Sequence, residues 1–316
     1  MRGAGMEQSE VPRWYRDYSI AVVLVTFVLI WWGAAVTTEH VGMAVPDWPT
    51  SFGSWNPKGW WETSPVRLEH GHRLLAGTVG LLTLGLCAGA WLATRHRVVR
   101  VAATLAVFLV ILQGVAGGVR VLRVSDGFGI LHGCLAQSFF CVLLFVLLTA
   151  HGWAGPPPRG REENLGTWRF AGTVLFSAVF IQLILGAVLR HTQRFHLADH
   201  HLLLTGESWF PGFGENDLLV LFLHKWWAMV VVGLGIWVAV GRTRWISEHR
   251  LVATVSMLFV GAILVQAGLG VGVILSGKSF WITNFHVING QLLLASGFVL
   301  MVCSWRSIPS RPFESR

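Results

Sequence analysis

This sequence is short of charge, short of cysteine and short of long polar stretches. Only 13% of its 316 residues are Asp, Glu, Lys or Arg, while 53% are hydrophobic. A soluble domain of this length carries about twice that charged fraction, so a separate soluble domain is excluded. The four cysteines, Cys87, Cys134, Cys141 and Cys303, fall inside apolar runs at no metal-ligand spacing. That excludes a thiolate metal site and a disulfide framework, and small packing residues are the better reading. No surplus basic surface exists for nucleic acid, although the formal net charge is +8, because the basic residues are distributed in another way.

What is present is a series of apolar runs near twenty residues, the length that crosses ~30 Å of hydrocarbon as a helix. They fall near 18–38, 69–94, 98–120, 128–150, 168–189, 218–240, 251–274 and 281–304. The expected fold class is an all-α polytopic membrane protein with eight transmembrane helices. No cleavable signal peptide is apparent, since the first run is long enough to remain as a span. Fifteen of the 24 Lys and Arg fall in the N-terminal segment and the alternate connections that share its side, and these connections are the shorter ones. Positive-inside logic therefore places both termini in the cytoplasm of a cell in whose inner membrane the chain is embedded. The seventeen tryptophans suit anchoring at the two lipid–water interfaces.

The stretch "GWAGPPPRGREENLGT" divides helices 1–4 from helices 5–8. Across it the sequence repeats at one offset. "HGCLAQ" at 132–137 matches "HVINGQ" at 286–291; "EHGHRLL" at 69–75 matches "LFLHKWW" at 221–227; Gln113 matches Gln266 and Gly117 matches Gly270. A duplicated four-helix unit is expected: an N-terminal half (1–151), a cytoplasmic linker (152–167) and a C-terminal half (168–316).

Each unit contributes two histidines about sixty residues apart, His72 with His132 and His224 with His286. All four fall near the start of a helix that runs inward, and so at one depth toward the outer face. Ionisable groups at that level usually face the bundle interior and mark function. Pairs of imidazoles from facing helices suit the two axial positions of a heme iron, whereas zinc needs three or four convergent ligands. Gly117, Gly118, Gly268, Gly270 and Gly272 either give a flat macrocycle room or let helices pack closely. His96, His151 and His249 belong to the inner surface, and His70 points away from His72. His191, His196, His200 and His201 lie in the second long outer loop and read as loop residues. Glu69 breaks the symmetry: it lies one helical turn before His72 on the same face, and its counterpart is Leu221. It reads either as a chemical group of one half only or as a carboxylate stabilised by a helix N-terminus.

These residues resemble the heme A synthase family of terminal-oxidase assembly enzymes (bacterial CtaA, mitochondrial COX15). The similarity runs through "EHGHR", "LQGVAGGVRV", "QLILGAVLRH", "NFHVINGQ" and the Pro-Asp-Trp-Pro stretch of "GMAVPDWPTSFGSWNP". The resemblance implies oxidation of the ring methyl of heme O to a formyl group through a hydroxymethyl intermediate, giving heme A. It implies Glu69 as the catalytic carboxylate and His72 and His132 as ligands of the substrate heme. It also implies His224 and His286 as ligands of a permanent heme b, with heme O synthase and an electron donor as partners in the bilayer. Many bacterial members carry a cysteine pair in the first outer loop, and residues 39–68 here contain none. Arg73 and Lys225, each following a ligand histidine, are expected propionate contacts or interface snorkelers. Two rival readings stand beside this one: a non-enzymatic di-heme b electron-transfer protein, and a transporter with a parallel repeat.

Overall fold

The computed structural model describes residues 11–152, 165–192, 204–205, 208–213, 216–245 and 250–306. Within them the chain forms α1 (Arg13–Thr38), α2 (Ser64–Ala93), α3 (Arg97–Arg123), α4 (Asp126–Ala150), α5 (Leu165–Thr192), α6 (Asn216–Trp245), α7 (Arg250–Leu275) and α8 (Phe280–Arg306). No strand occurs among the described residues; two isolated bridges, Ser51 with Ser54 and Thr205 with Ser208, tie the loops locally. All eight helices are long and apolar enough to cross a membrane. Their outward surfaces carry large apolar side chains such as Leu81, Leu92 and Leu264, as lipid-facing helices do.

Most helices extend beyond the apolar runs. α2 begins at Ser64 rather than near 69, because Thr63 is its N-cap residue and a proline stands in its first turn, where a missing N–H costs nothing. Short connections force neighbours antiparallel. α3 ends with Val124 in the left-handed region at φ 48°, and Ser125 then caps α4 by accepting from Phe128 N–H. α1 and α2 also run antiparallel: the positions of Gly71, Gly85 and Gly89 on α2 meet Trp32, Tyr18 and Trp14 of α1 in descending order.

Two hydrophobic clusters hold the helices. One gathers Val22, Leu86, Ala103, Leu143 and Val146 from α1–α4. The other gathers Trp168, Leu175, Val238, Phe259 and Leu294 from α5–α8. They meet where α4 and α8 pack: Cys141 of α4 belongs to the second cluster, and Ala295 and Phe298 of α8 pack on the first. α8 is accordingly the most enclosed span, with 56% of its apolar window buried against 11% for α7. Both clusters draw mainly on the starts of odd helices and the later parts of even helices. They therefore lie toward one end of the bundle and leave the other end, which carries the long connections, to polar side chains.

Candidate functional site

At that loop end, His72 and His224 each stand eight residues after the first residue of their helix, and His132 and His286 each stand six after theirs. At 1.5 Å per residue, all four sit ~9–12 Å inside their helices. His72 lies within electrostatic range of His132, and His224 within range of His286. The structure therefore brings the four together as the two expected pairs. Among the described residues no group of three His, Cys, Asp or Glu is gathered.

Each ring is seated in the same way. A Cβ added at Gly33 of α1 would come within 2.9 Å of the His72 ring, and at Gly117 of α3 within 3.0 Å of His132. At Gly186 of α5 it would come within 3.2 Å of His224, and at Gly270 of α7 within 3.4 Å of His286. Every odd helix thus yields a glycine to the imidazole of the even helix that follows. The sequence reading found Gly117 and Gly270, though as space for a macrocycle or for helix contact. It missed Gly33 and Gly186, which repeat at nearly the same offset. Gly118 has another task, since a Cβ there would collide with the Trp48 ring; Gly272 faces Ile282, and Gly268 has open space.

Glutamines also hold the rings. His132 Nδ1 lies 3.1 Å from the Gln113 carbonyl oxygen, and Gln113 Nε2 lies 3.3 Å from His132 Nε2. A carbonyl only accepts, so Nδ1 carries the proton and the Nε2 lone pair is left for an amide or a metal. Gln266 Nε2 meets His286 Nε2 at 3.3 Å and is itself positioned by Asn289, whose Nδ2 donates to Gln266 Oε1 at 2.8 Å. In the α5–α6 pair, Gln182 Nε2 donates to the His224 carbonyl at 2.9 Å and touches its ring at 3.2 Å. The Gln182 contact was not anticipated; its counterpart position is the apolar Leu29.

Glu69 and Arg73 form a second constellation. Glu69 is buried, and Arg73 Nη2 donates to its Oε1 at 2.6 Å while Val45 N–H donates to its Oε2 at 2.9 Å. Arg73 also donates to the carbonyls of Val45, Asp47 and Thr50 at 2.9, 2.6 and 2.9 Å. The loop is therefore strapped to α2 through one ion pair. Glu69 lies beyond the first turn of α2, which contains no acid, so a helix-terminus role is corrected to a loop-anchoring bond network. Beneath it Asp47 accepts from Thr50 Oγ1, Phe52 N–H and Gly53 N–H at 2.7, 2.6 and 2.9 Å. Those three donors hold its carboxyl well below the usual range, at about 2. His70 does point away from His72: its Nδ1 meets Ser51 Oγ at 2.8 Å, and Trp60 packs edge-on against its ring.

Lys225, which follows His224 as Arg73 follows His72, donates to the Leu204 carbonyl of the second loop at 2.9 Å. Both bases thus bond the loop before their helix, a role the sequence reading did not foresee. His191 departs from its expected place: it lies in the last turn of α5, against Gly129 at the start of α4, and not in a loop. The helix persists past the apolar run that marked its end. His196, His200, His201 and His249 lie outside the described residues. Cys141 and Cys303 are buried in the second cluster as packing residues.

Eight apolar helices, with four half-buried histidines near one end, define a multi-pass membrane protein. The sequence profile of the COX15-CtaA family, described as cytochrome oxidase assembly protein, matches residues 62–298. The chain belongs to that family. It is 29% identical over 268 residues to the heme A synthase of Shouchella clausii, covering 83% of this chain and 87% of that one. It is 26% identical over 291 residues to the heme A synthase of Halalkalibacterium halodurans, covering 88% and 93%. With the heme A synthase of Geobacillus thermodenitrificans the identity is 28% over 305 residues, covering 90% and 91%.

Proposed function

We propose that this protein is a heme A synthase, an oxidoreductase of the membrane that turns one ring methyl of heme O into the formyl group of heme A through an alcohol. The observation that carries this reading is the pairing of His72 with His132 and of His224 with His286, each ring seated on a glycine. It stands in a chain of the cytochrome oxidase assembly family whose curated relatives bear the name heme A synthase. The donor set suits heme: two imidazoles per site from facing helices match axial ligation. His72 Nδ1 and His286 Nδ1 are buried without a hydrogen-bond partner, so each ring retains a nitrogen that the protein does not satisfy.

In this reading His72 and His132 hold the substrate heme O, and His224 and His286 hold heme b. Held by His224 and His286, heme b would relay single electrons from a separate membrane electron donor. Glu69 accepts a proton close to the substrate's edge, one turn from His72, and its two oxygens are oriented by Arg73 and Val45 N–H. The Val45–Ser51 strap shields that edge from water. Residues 1–151 form the substrate half and 168–316 the cofactor half, a division supported by the two separate apolar clusters. In this reading both termini are cytoplasmic and the histidines lie toward the outer face of the inner membrane, an orientation the distribution of basic residues supports. Heme O synthase is the partner that delivers the substrate.

The rival, a di-heme b electron carrier, needs no carboxylate network in one half alone, yet Leu221, a buried apolar residue, occupies the position matching Glu69. Extracting the pigment of the purified protein decides between them. Heme b together with heme O or heme A is expected. Heme b alone would favour the carrier, and no heme would overturn both.

A further inference from the structure

Two arginines remain once the histidine pairs and the loop anchors are accounted for. Arg120 lies in the last turn of α3, and Arg190 lies in the last turn of α5. Neither follows the internal repeat, since the matching positions are Val273 and Thr37. Their guanidinium groups lie within electrostatic range of one another. Arg120 is also in range of His72 and His132, and Arg190 in range of His286. His191 is in range of both arginines and of His132. Arg120 and His191 share one seat: a Cβ at Gly129 would come 2.8 Å from His191 Nδ1 and 3.2 Å from Arg120 Nε. A basic cluster thus stands between the two histidine pairs.

Nothing anionic pairs with it directly. Among the described residues the ion pairs are Arg13 with Asp17 and Arg73 with Glu69. Arg190 Nη2 donates to the Ala34 carbonyl and to Thr38 Oγ1, both uncharged. Arg120 meets no hydrogen-bond acceptor among the described residues; Glu69 and Asp126 act on it only from a distance. Two like charges, each half-buried at the end of a membrane span, are costly without an anion in bonding reach. A guanidinium fork matches a carboxylate with two parallel bonds.

We propose that Arg120 and Arg190 form a carboxylate-binding bridge shared by the two histidine-pair sites. Arg120 takes a carboxylate of the tetrapyrrole held by His72 and His132, and Arg190 one of the tetrapyrrole held by His224 and His286. Arg73 and Lys225, for which the sequence suggests propionate contact or interface snorkeling, donate to loop carbonyls. The inference rests on the heme reading above and adds to it which basic residues orient each macrocycle.

The test uses full-length apoprotein from heme-limited cells, titrated in detergent with hemin and with hemin dimethyl ester, whose carboxylates are blocked. Hemin should bind ~10- to 100-fold more tightly than the ester, the worth of a charge-assisted hydrogen bond. Arg120→Gln removes a group with no described protein acceptor, so it should fold and should lose most of that preference. Arg190→Gln also cuts the tie to α1; Thr38→Val weakens the same tie but keeps the charge, and should retain the preference. Equal binding of hemin and ester by the native protein, or an undiminished preference in Arg120→Gln, would overturn the bridge while leaving the heme sites intact. Failure of the native protein to bind either compound would overturn the heme reading itself.

Discussion

Glu69 and Arg73, one turn apart on α2, are joined by a 2.6 Å ion pair, and both reach into the loop at Val45, Glu69 to its N–H and Arg73 to its carbonyl. A carboxylate so placed has two tasks that can be separated. Glu69→Gln keeps an oxygen for one of these donors but removes the base. If Glu69 moves a proton, conversion should fall by ~10²–10⁴ while heme b is retained. Cells carrying the variant should accumulate heme O or its alcohol, measured as the ratio of heme O to heme A. A near-normal ratio would leave Glu69 with the anchoring role alone.

Arg73 has no such division. Arg73→Met keeps the length of the stem, yet it strands a buried carboxylate and three loop carbonyls. Stranding one partner of a buried pair costs about 3–5 kcal/mol, so the thermal midpoint should drop clearly in detergent. Arg73→Lys retains the charge but not the fork, and should fall between the two. A midpoint unchanged by Arg73→Met would mean that the loop is held by other contacts.

The glycine seats predict effects confined to one site. Gly186→Val must push against the ring of His224, which even a Cβ would approach within 3.2 Å. Overpacking of this kind costs ~1–3 kcal/mol, and the heme b spectrum should weaken or shift. Valine at position 33 or 117 should leave that spectrum unaltered and lower heme A formation. Heme b loss from the Gly33 variant would sever the assignment of seats to sites.

Asp47 gives a pH dependence outside the membrane spans. The N–H and hydroxyl donors of its turn hold its carboxyl down at about 2, well below the usual carboxylate range. A depressed acid contributes stability that is complete above its unfolded value and is lost as pH falls toward the folded one. The 47–53 turn should therefore keep its form from neutral pH to about pH 4 and loosen between there and about 2, as followed by Trp48 fluorescence. Asp47→Asn should abolish that acid transition; its persistence would point to another carboxylate.

The eight spans and the two histidine pairs were legible because both rest on local rules. Apolar runs must match the hydrocarbon thickness, and ionisable residues in such runs are too costly to be incidental. Helix starts were less legible, since hydropathy marks where the apolar stretch begins, whereas the hydrogen-bonded helix begins at its cap. That is why α2 opens at Thr63 and Ser64, and why His191 belongs to α5.

By itself, then, the sequence determined the membrane class, the number of spans and which histidines could meet, all consequences of composition and spacing along one chain. Only the tertiary structure decided the contacts made between elements far apart in sequence. It seats His72 on Gly33 and His224 on Gly186, binds Arg73 to the Val45–Thr50 backbone, and brings Arg120 and Arg190 within range of each other. The physical reason is that a glycine's value lies in what approaches it, and a buried arginine's in what it pairs with. Both are properties of neighbours that helix packing alone selects.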